Sequence, residues 1–480
     1  MNRKMVLNTL GKIIWLEAIC LLFPLAVSVI YGNDCTLSFI ITIGVALLTA
    51  APLTFLCKSE NKVIYAKEGF VIVSLAWIVM SVIGCLPFVI SGEIPSAVDA
   101  FFETVSGFTT TGASVVSDVE ALSEGILFWR SFTHWLGGMG VLVFVLAISQ
   151  GMHDRTIHIM RAEMPGPIVD KLVPKASKTA KILYLIYIGM TVTQIIVLVI
   201  CKMPLFEAVV HTLGTAGTGG FGIKADSLAG YSPVIQWAIA VFMFLFGINF
   251  NLYYLLLLKR VKSVLKSTEL WVYIGIAVVS CILITTNILG TTDSLSEAVR
   301  LSAFQVSAII TTTGYATADF NLWPVFSKTL LLLLMFMGAC AGSTAGGFKL
   351  SRVIILAKGM RRELSRLLHP RSVKTLKLDG KRLDEQTLSS TASYLTVYIA
   401  SILFIFLLLS IDGFDIETNF SAAVSCFNNI GPGLGAVGPM GGYGEYSVFS
   451  KIVLSAAMLL GRLEIFPLLL CFSPSTWLKK

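Results

Sequence analysis

Ten apolar runs divide this chain, at roughly 13–31, 36–56, 69–91, 126–149, 182–201, 232–258, 271–289, 325–357, 393–411 and 448–472. Each is long enough to cross a bilayer core of ~30 Å, which takes about 20 helical residues. A chain with so many of them is built for lipid, where backbone groups must find their partners inside the protein. Composition agrees, since 13% of the 480 residues are charged against about a quarter in soluble domains. Arg3, Lys4 and Lys12 precede the first run and no small-residue cleavage site follows it, so it reads as a retained transmembrane helix rather than a signal peptide.

Ten spans put both termini on one side. The segments 1–12, 57–68, 150–181, 259–269, 349–390 and 473–480 hold 29 of the 36 Lys and Arg, the opposite set holds six, and Arg462 lies within a span. The positive-inside rule makes the first set, with both termini, cytoplasmic. The net charge of +8 therefore reports orientation rather than nucleic-acid binding, although the basic 349–390 loop could also meet anionic membrane lipid or a partner. Nine scattered cysteines without a CxxC pair suggest neither a disulfide framework nor a zinc site.

Between runs 3 and 4, 5 and 6, 7 and 8, and 9 and 10 lie outward-facing segments, each with a stretch too short to span. Aligned on one glycine they read FFETVSGFTTTGAS (Gly112), VVHTLGTAGTGGFG (Gly220), AFQVSAIITTTGYA (Gly314) and FSAAVSCFNNIGPG (Gly431). A small residue, Ser106, Gly214, Ala308 or Ser425, stands six places before each glycine. One unit of span, short helix, loop and span thus occurs four times. The expected architecture is an all-α membrane protein of four fused helix–pore-helix–filter–helix repeats in pseudo-four-fold arrangement. Its units are an N-terminal helix pair at 1–67 and repeats at 68–170, 171–268, 269–385 and 386–480, with Ser296–Ile309 a short half-buried helix.

Any one of these loops alone is an ordinary Gly/Thr turn. Four in matching places are not, because irregular backbone at membrane depth is tolerated only where it is buried in protein or lines a watery cavity. Thr110-Thr111-Gly112, Thr218-Gly219-Gly220, Thr312-Thr313-Gly314 and Asn429-Ile430-Gly431 look like degenerate copies of the potassium-channel filter string. There, successive carbonyls replace an ion's water shell, and glycine supplies backbone angles that side chains forbid. The middle of the long eighth run, Gly338–Gly347, contains only small residues, among them Gly342, Ser343, Thr344 and Gly346. It is nearly a Walker A loop, but Phe348 intervenes before Lys349 and no soluble nucleotide domain surrounds it. It fits either a close helix-packing face or a break in the helix that gates the path. Arg462 sits mid-span, at ~2.5–3.5 kcal/mol on gentle insertion scales, so it faces a polar interior or pairs with Glu464. Two residues apart, those side chains do not share a helical face. The five histidines have no metal-ligand partner at a usual spacing and read as structural or solvated. Glu103, Glu207, Asp226 and Glu445 on the outer side could concentrate cations at the mouth, or be what the charge asymmetry leaves behind.

With WLGGMGVLVFVLAI (135–148), TGGFG (218–222), TTTGYAT (311–317), GACAGSTAGGFK (338–349), NNIGPGLG (428–435) and GRLEIFPLLL (461–470), the chain resembles the TrkH/KtrB family of bacterial potassium-uptake subunits over nearly its whole length. The extra N-terminal pair resembles the TrkH branch. The resemblance implies potassium as transported ligand with no covalent cofactor, a bacterial cytoplasmic (inner) membrane location, a homodimer, and regulation by a TrkA-like cytosolic nucleotide-binding subunit. It also favours a gate at Gly338–Lys349 acting with Arg462. In related transporters a serine in place of the first-repeat glycine goes with sodium preference, and Gly112 is intact. Gly222 departs from the usual serine after the phenylalanine of TGGFG. Two other readings compete. A symporter coupled to sodium or protons would need buried acids near the midplane, where few lie beyond Glu17 and Glu464. A membrane enzyme would need acids or histidines clustered at one face, and the sequence has no such cluster.

Overall fold

The computed structural model describes residues 2–57, 66–140, 176–370, 375–379 and 381–477. The last nine residues of the fourth run (141–149), most of the basic 150–181 segment with His153 and His158, the expected boundary at 170, and Lys479 and Lys480 lie outside the described residues.

The N-terminal pair comprises α1 (Arg3–Cys20), α2 (Leu22–Tyr31) and α3 (Thr36–Phe55). The first repeat holds α4 (Ala66–Gly84), α5 (Leu86–Ser91), α6 (Ala97–Phe108) and α7 (Glu124–Gly138). The second holds α8 (Ala176–Ile200), α9 (Leu205–Gly217), α10 (Pro233–Phe246), α11 (Phe250–Leu257) and the short α12 (Val261–Leu265). The third holds α13 (Thr268–Ile288), α14 (Leu295–Ile310), α15 (Val325–Met337) and α16 (Leu350–Leu368), followed by a two-stranded antiparallel hairpin, Lys377–Leu378 with Lys381–Arg382. The fourth holds α17 (Glu385–Leu409), α18 (Ile416–Asn428), α19 (Val448–Arg462), α20 (Phe466–Phe472) and α21 (Pro474–Trp477).

The short helices α6, α9, α14 and α18 begin where their sequences say a helix should. Ser96 caps α6 by accepting from Asp99 N at 3.3 Å, and Ser294 caps α14 by accepting from Glu297 N at 3.2 Å. Pro204 stands just before α9 and Asp415 just before α18. Each short helix then packs between the second long helix of its own repeat and that of the repeat before it: α6 on α7 and α19, α9 on α10 and α7, α14 on α15 and α10, α18 on α19 and α15. The series closes on itself, so the four repeats stand in a circle.

Among the described residues, six helices are long and apolar enough to cross a membrane, or seven if α10 and α11 count as one span. This corrects the expectation of continuous spans at two places. The run 232–258 breaks at 247–249, where α10 and α11 meet at 90°. The run 448–472 breaks at 463–465, where Glu464 and Ile465 take φ of +57° and +62°. Unbroken hydropathy hid both breaks, because the residues that open the helix are themselves largely apolar. The eighth run breaks where its small residues fall, between α15 and α16. The basic 349–390 stretch is not a loop: most of it is α16, the hairpin and the start of α17. Arg362 on α16 pairs there with Glu385 of α17.

Candidate functional site

Each short helix stops three or four residues before its aligned glycine, and all four stop in the same way. Thr110, Thr218, Thr312 and Asn429, two places before the glycine, are left-handed, with φ of 57°, 57°, 55° and 57°. The next residue's N–H then reaches back to the small residue picked out by the sequence alignment. Thr111 N donates to Ser106 O at 2.9 Å, Gly219 N to Gly214 O at 2.9 Å, Thr313 N to Ala308 O at 2.8 Å and Ile430 N to Ser425 O at 3.0 Å. This is the Schellman closure of a helix C-terminus, repeated four times. It delivers each glycine in a left-handed conformation.

The four loops meet closely through their backbones, and Asn429 Nδ2 of the fourth also donates to Thr111 Oγ1 of the first at 2.9 Å. A Cβ on Gly112 would lie 1.8 Å from Gly219 O, on Gly220 1.8 Å from Thr313 O, on Gly314 2.0 Å from Ile430 O, and on Gly431 2.7 Å from Thr111 O. Every glycine therefore faces the carbonyl that precedes the glycine of the next repeat, and the fourth faces the first. The carbonyl oxygens of Thr111, Gly219, Thr313 and Ile430 accept no hydrogen bond from the described residues. Above the ring lies a cavity of about 160 Å³ lined by all four glycines. A closed set of unengaged carbonyls at the electronegative ends of four helices offers the kind of oxygen ligands that a dehydrated cation requires.

Below the ring lies the segment between α15 and α16. Gly338, Gly342, Gly347 and Lys349 all have positive φ, at 67°, 71°, 77° and 73°, so the chain folds into a tight plug. Gly346 N donates to Thr312 Oγ1 at 2.7 Å, tying the plug directly to the ring. Cys340 N donates to Gly247 O at 3.1 Å, and Phe250 N donates to Gly342 O at 3.0 Å. The break between α10 and α11 is thus the seat of the plug, which explains why it exists. Glu269 Oε1 accepts from Ala341 N at 2.8 Å, and Lys349 Nζ turns back onto Ala345 O. Arg462 donates to Thr344 O of the plug at 3.0 Å, and to Gly137 O and Gly138 O at the end of α7 at 2.5 and 2.9 Å. Its guanidinium joins three repeats. Glu464 does not take it as partner; that carboxylate pairs with Arg352 of α16 at 2.5 Å.

The sequence profile of TrkH, described as a cation transport protein, matches residues 36–479. The chain belongs to the TrkH family. The Trk system potassium uptake protein TrkH of Salmonella typhimurium is 36% identical over 99% of this chain and 100% of its own length. The Trk system potassium uptake protein TrkG of Escherichia coli is 31% identical over 99% of this chain and 98% of its own. The crystal structure of the potassium transporter TrkH from Vibrio parahaemolyticus matches with a TM-score of 0.89 at 32% identity, covering 100% of both chains. The fold is the pseudo-four-fold repeat of that family.

The aligned glycines and their two preceding residues come together in the TrkH-family ring, and Gly338–Lys349 with Arg462 come together beneath it. Three residues behind the ring take parts that the sequence did not assign to them. Glu103 is not a mouth acid. It is buried behind the ring, where its Oε1 accepts from Arg130 Nε and Nη2 at 2.9 and 2.6 Å and from Ser114 Oγ at 2.9 Å, and its Oε2 from Val115 N at 2.9 Å. Arg130 also reaches Gly222 O at 3.4 Å and lies 4.1 Å over the Phe221 ring, bracing the first loop against the second. His134 bonds Gly107 O through Nδ1 at 2.8 Å and packs its ring, tilted, 4.2 Å from that of Phe221, filling the space a side chain at Gly219 would need. A signal existed for Arg130 alone, as a charge inside the helical stretch after the first loop.

Alanine at Gly112, Gly220 or Gly314 puts a Cβ within about 2 Å of backbone that cannot move aside, whereas Gly431 has 2.7 Å. Overpacking adds about 1–3 kcal/mol to the strain that positive φ imposes on all four. Thermal unfolding of the purified variants in detergent should show the first three destabilised by at least that much and Gly431→Ala less. An equal loss at all four would contradict the ring contacts.

Proposed function

We propose that this chain is the ion-conducting subunit of a potassium-uptake system of the bacterial inner membrane, with both termini in the cytoplasm. The observation that carries this reading is the closed ring of unengaged carbonyls at Thr111, Gly219, Thr313 and Ile430. An ion stripped of water needs several oxygens at once, and a ring of backbone carbonyls supplies them without side-chain charge. The relatives named as potassium uptake proteins support the same ion. Thr110–Gly112, Thr218–Gly220, Thr312–Gly314 and Asn429–Gly431 are then the filter, and the repeats at 68–170, 171–268, 269–385 and 386–480 each supply one quarter.

The plug at Gly338–Lys349 is the gate in this reading. It lies directly under the filter; Thr312 and Glu269 hold it within its own repeat, while Gly247 and Phe250 of the second repeat and Arg462 of the fourth hold it from outside, so a relative shift of those repeats loosens it. Arg462 holds it closed by binding Thr344 O and adds a positive charge where Coulomb terms are larger than in water. The coupled-symport alternative would need a buried acid on the path. Glu464 is ion-paired with Arg352. Glu17 is buried with neither oxygen engaged, but it packs behind α6, 3.2 Å from where a Cβ on Gly84 would stand. Glu269 is buried beside the plug, where its Oε1 is engaged by Ala341 N at 2.8 Å. The reading is channel-like passage. A homodimer regulated by a TrkA-like cytosolic nucleotide-binding subunit completes it, with the exposed basic surface of α16, including Arg361, as the docking side.

In liposomes holding the purified protein, K⁺ and Rb⁺ flux should exceed Na⁺ and Li⁺ flux at least tenfold, and Gly112→Ser should lower that ratio. Equal permeation of all four ions by the parent would sink the potassium reading.

Arg462→Ala should raise flux per folded protein. It should also cost stability, because three carbonyls lose a donor at about 1–3 kcal/mol each. Normal folding with unchanged flux would remove Arg462 from the gate.

Charge reversal at Arg361 and Arg366 should reduce co-purification of the cytosolic subunit severalfold. Equal recovery with and without reversal would move the docking site elsewhere.

A further inference from the structure

One member of the glycine ring differs from the other three. The carbonyl oxygens of Gly112, Gly220 and Gly314 accept no hydrogen bond from the described residues. The carbonyl oxygen of Gly431 accepts two, from Tyr443 Oη at 2.7 Å and from Ser425 Oγ at 2.8 Å. A carbonyl oxygen has two lone pairs, so both are taken. The backbone records the same difference: φ is 77°, 76° and 78° at the first three glycines and 102° at Gly431. The contact to the neighbouring repeat is also looser there, at 2.7 Å against 1.8–2.0 Å.

Both donors belong to the wall behind the ring. Ser425 is on α18. Tyr443 is buried, with its ring 5.7 Å from that of Phe102 and 6.1 Å from that of Tyr446, and its N–H donates to Ser114 O at 2.9 Å. Repeat 1 supplies an internal control. Ser106 stands at the position of Ser425, six residues before its glycine, and is equally buried. Yet the Ser106 hydroxyl has no hydrogen-bond partner, and Gly112 O stays unengaged. A serine at that place does not by itself draw the carbonyl back. Tyr443 makes the difference.

We propose that the outermost ring of the ion path is three-sided. The carbonyls of Gly112, Gly220 and Gly314 face the ion, while Tyr443, with Ser425, keeps the fourth in the wall. Tyr443 is then a positioning residue that sets how strongly the outer end of the filter holds a dehydrated monovalent cation. An ion entering from outside meets three carbonyls, with water free to complete its shell. It passes next to the ring of Thr111, Gly219, Thr313 and Ile430, where four carbonyls are unengaged. Entry in this order removes water in two stages and keeps the first site shallow. The proposal rests on the reading of the glycine ring as an ion filter.

The test compares the parent with Tyr443→Phe and with Tyr443→Phe/Ser425→Ala in liposome flux assays at graded external K⁺ and Rb⁺. Phenylalanine keeps the buried ring and removes only the donor. Half-saturating K⁺ should fall, by several-fold in the double variant, while maximal flux stays level or drops as ions leave the deeper outer site more slowly. A merely structural role would lower maximal flux and leave half-saturation where it was, and that result in a folded double variant would overturn the proposal. Anomalous diffraction from Rb⁺-loaded parent protein decides the matter without any variant. An ion at the outer ring contacting three glycine carbonyls, with Gly431 O on Tyr443, supports it, and four equal carbonyl contacts overturn it. A parent that conducts no K⁺ at all would instead remove the filter reading on which the proposal stands.

Discussion

The structure depends on a contact between backbones: the α-carbon of one repeat's glycine against the carbonyl of the next, four times around a circle. The spacing leaves no place for a Cβ, so the sequence at those positions is fixed by geometry before any chemistry is considered. The four helix ends that present the glycines are identical in their left-handed residue and their return hydrogen bond. What differs between repeats is the packing behind them: His134 behind the second loop, Tyr315 between α9 and the second loop, Tyr443 behind the fourth.

Charge inside the membrane region serves as bracing in this fold. A buried cation is costly unless its donors are filled, and Arg130, Arg352 and Arg462, all buried, fill them differently. Arg130 takes a carboxylate and two neighbouring loops. Arg352 takes Glu464 across a helix break and lies 4.0 Å over the Tyr394 ring. Arg462 takes backbone carbonyls from two other repeats. A guanidinium has five donors in a planar fork, so it can gather carbonyls that helices have left unpaired at their broken ends. Arg352 and Arg462 flank the break at 463–465, whereas the break at 247–249 is held by the backbone of Cys340 and Gly342.

The repeats were legible in sequence because their signal lies in local backbone rules. Glycine marks the positive φ, and the small residue six places earlier marks the carbonyl that closes the helix. The small-residue stretch at 338–347 was legible for the same reason. The breaks at 247–249 and 463–465 were not, since they are imposed by partners distant in sequence: Cys340 and Gly342 for the first, Arg352 for the second. The bracing role of Glu103 fits neither reading its sequence offered, because nothing in its local sequence says that Arg130, 27 residues on, turns it inward. Hydropathy reports where a side chain would rest in lipid. It is silent on backbone hydrogen bonds made between repeats.

Fusing four quarters of a pore into one chain has a hereditary consequence. In an assembly of four identical subunits, any change at a pore position arrives in all four places together. Here each quarter is encoded separately, so a change enters one quadrant while three hold the original. Asn429 in place of threonine, Ile430 in place of threonine or glycine, and Pro432 after the fourth glycine are departures of this kind. The fourth quadrant, with its φ of 102° at Gly431, is where this chain has drifted furthest from its own symmetry.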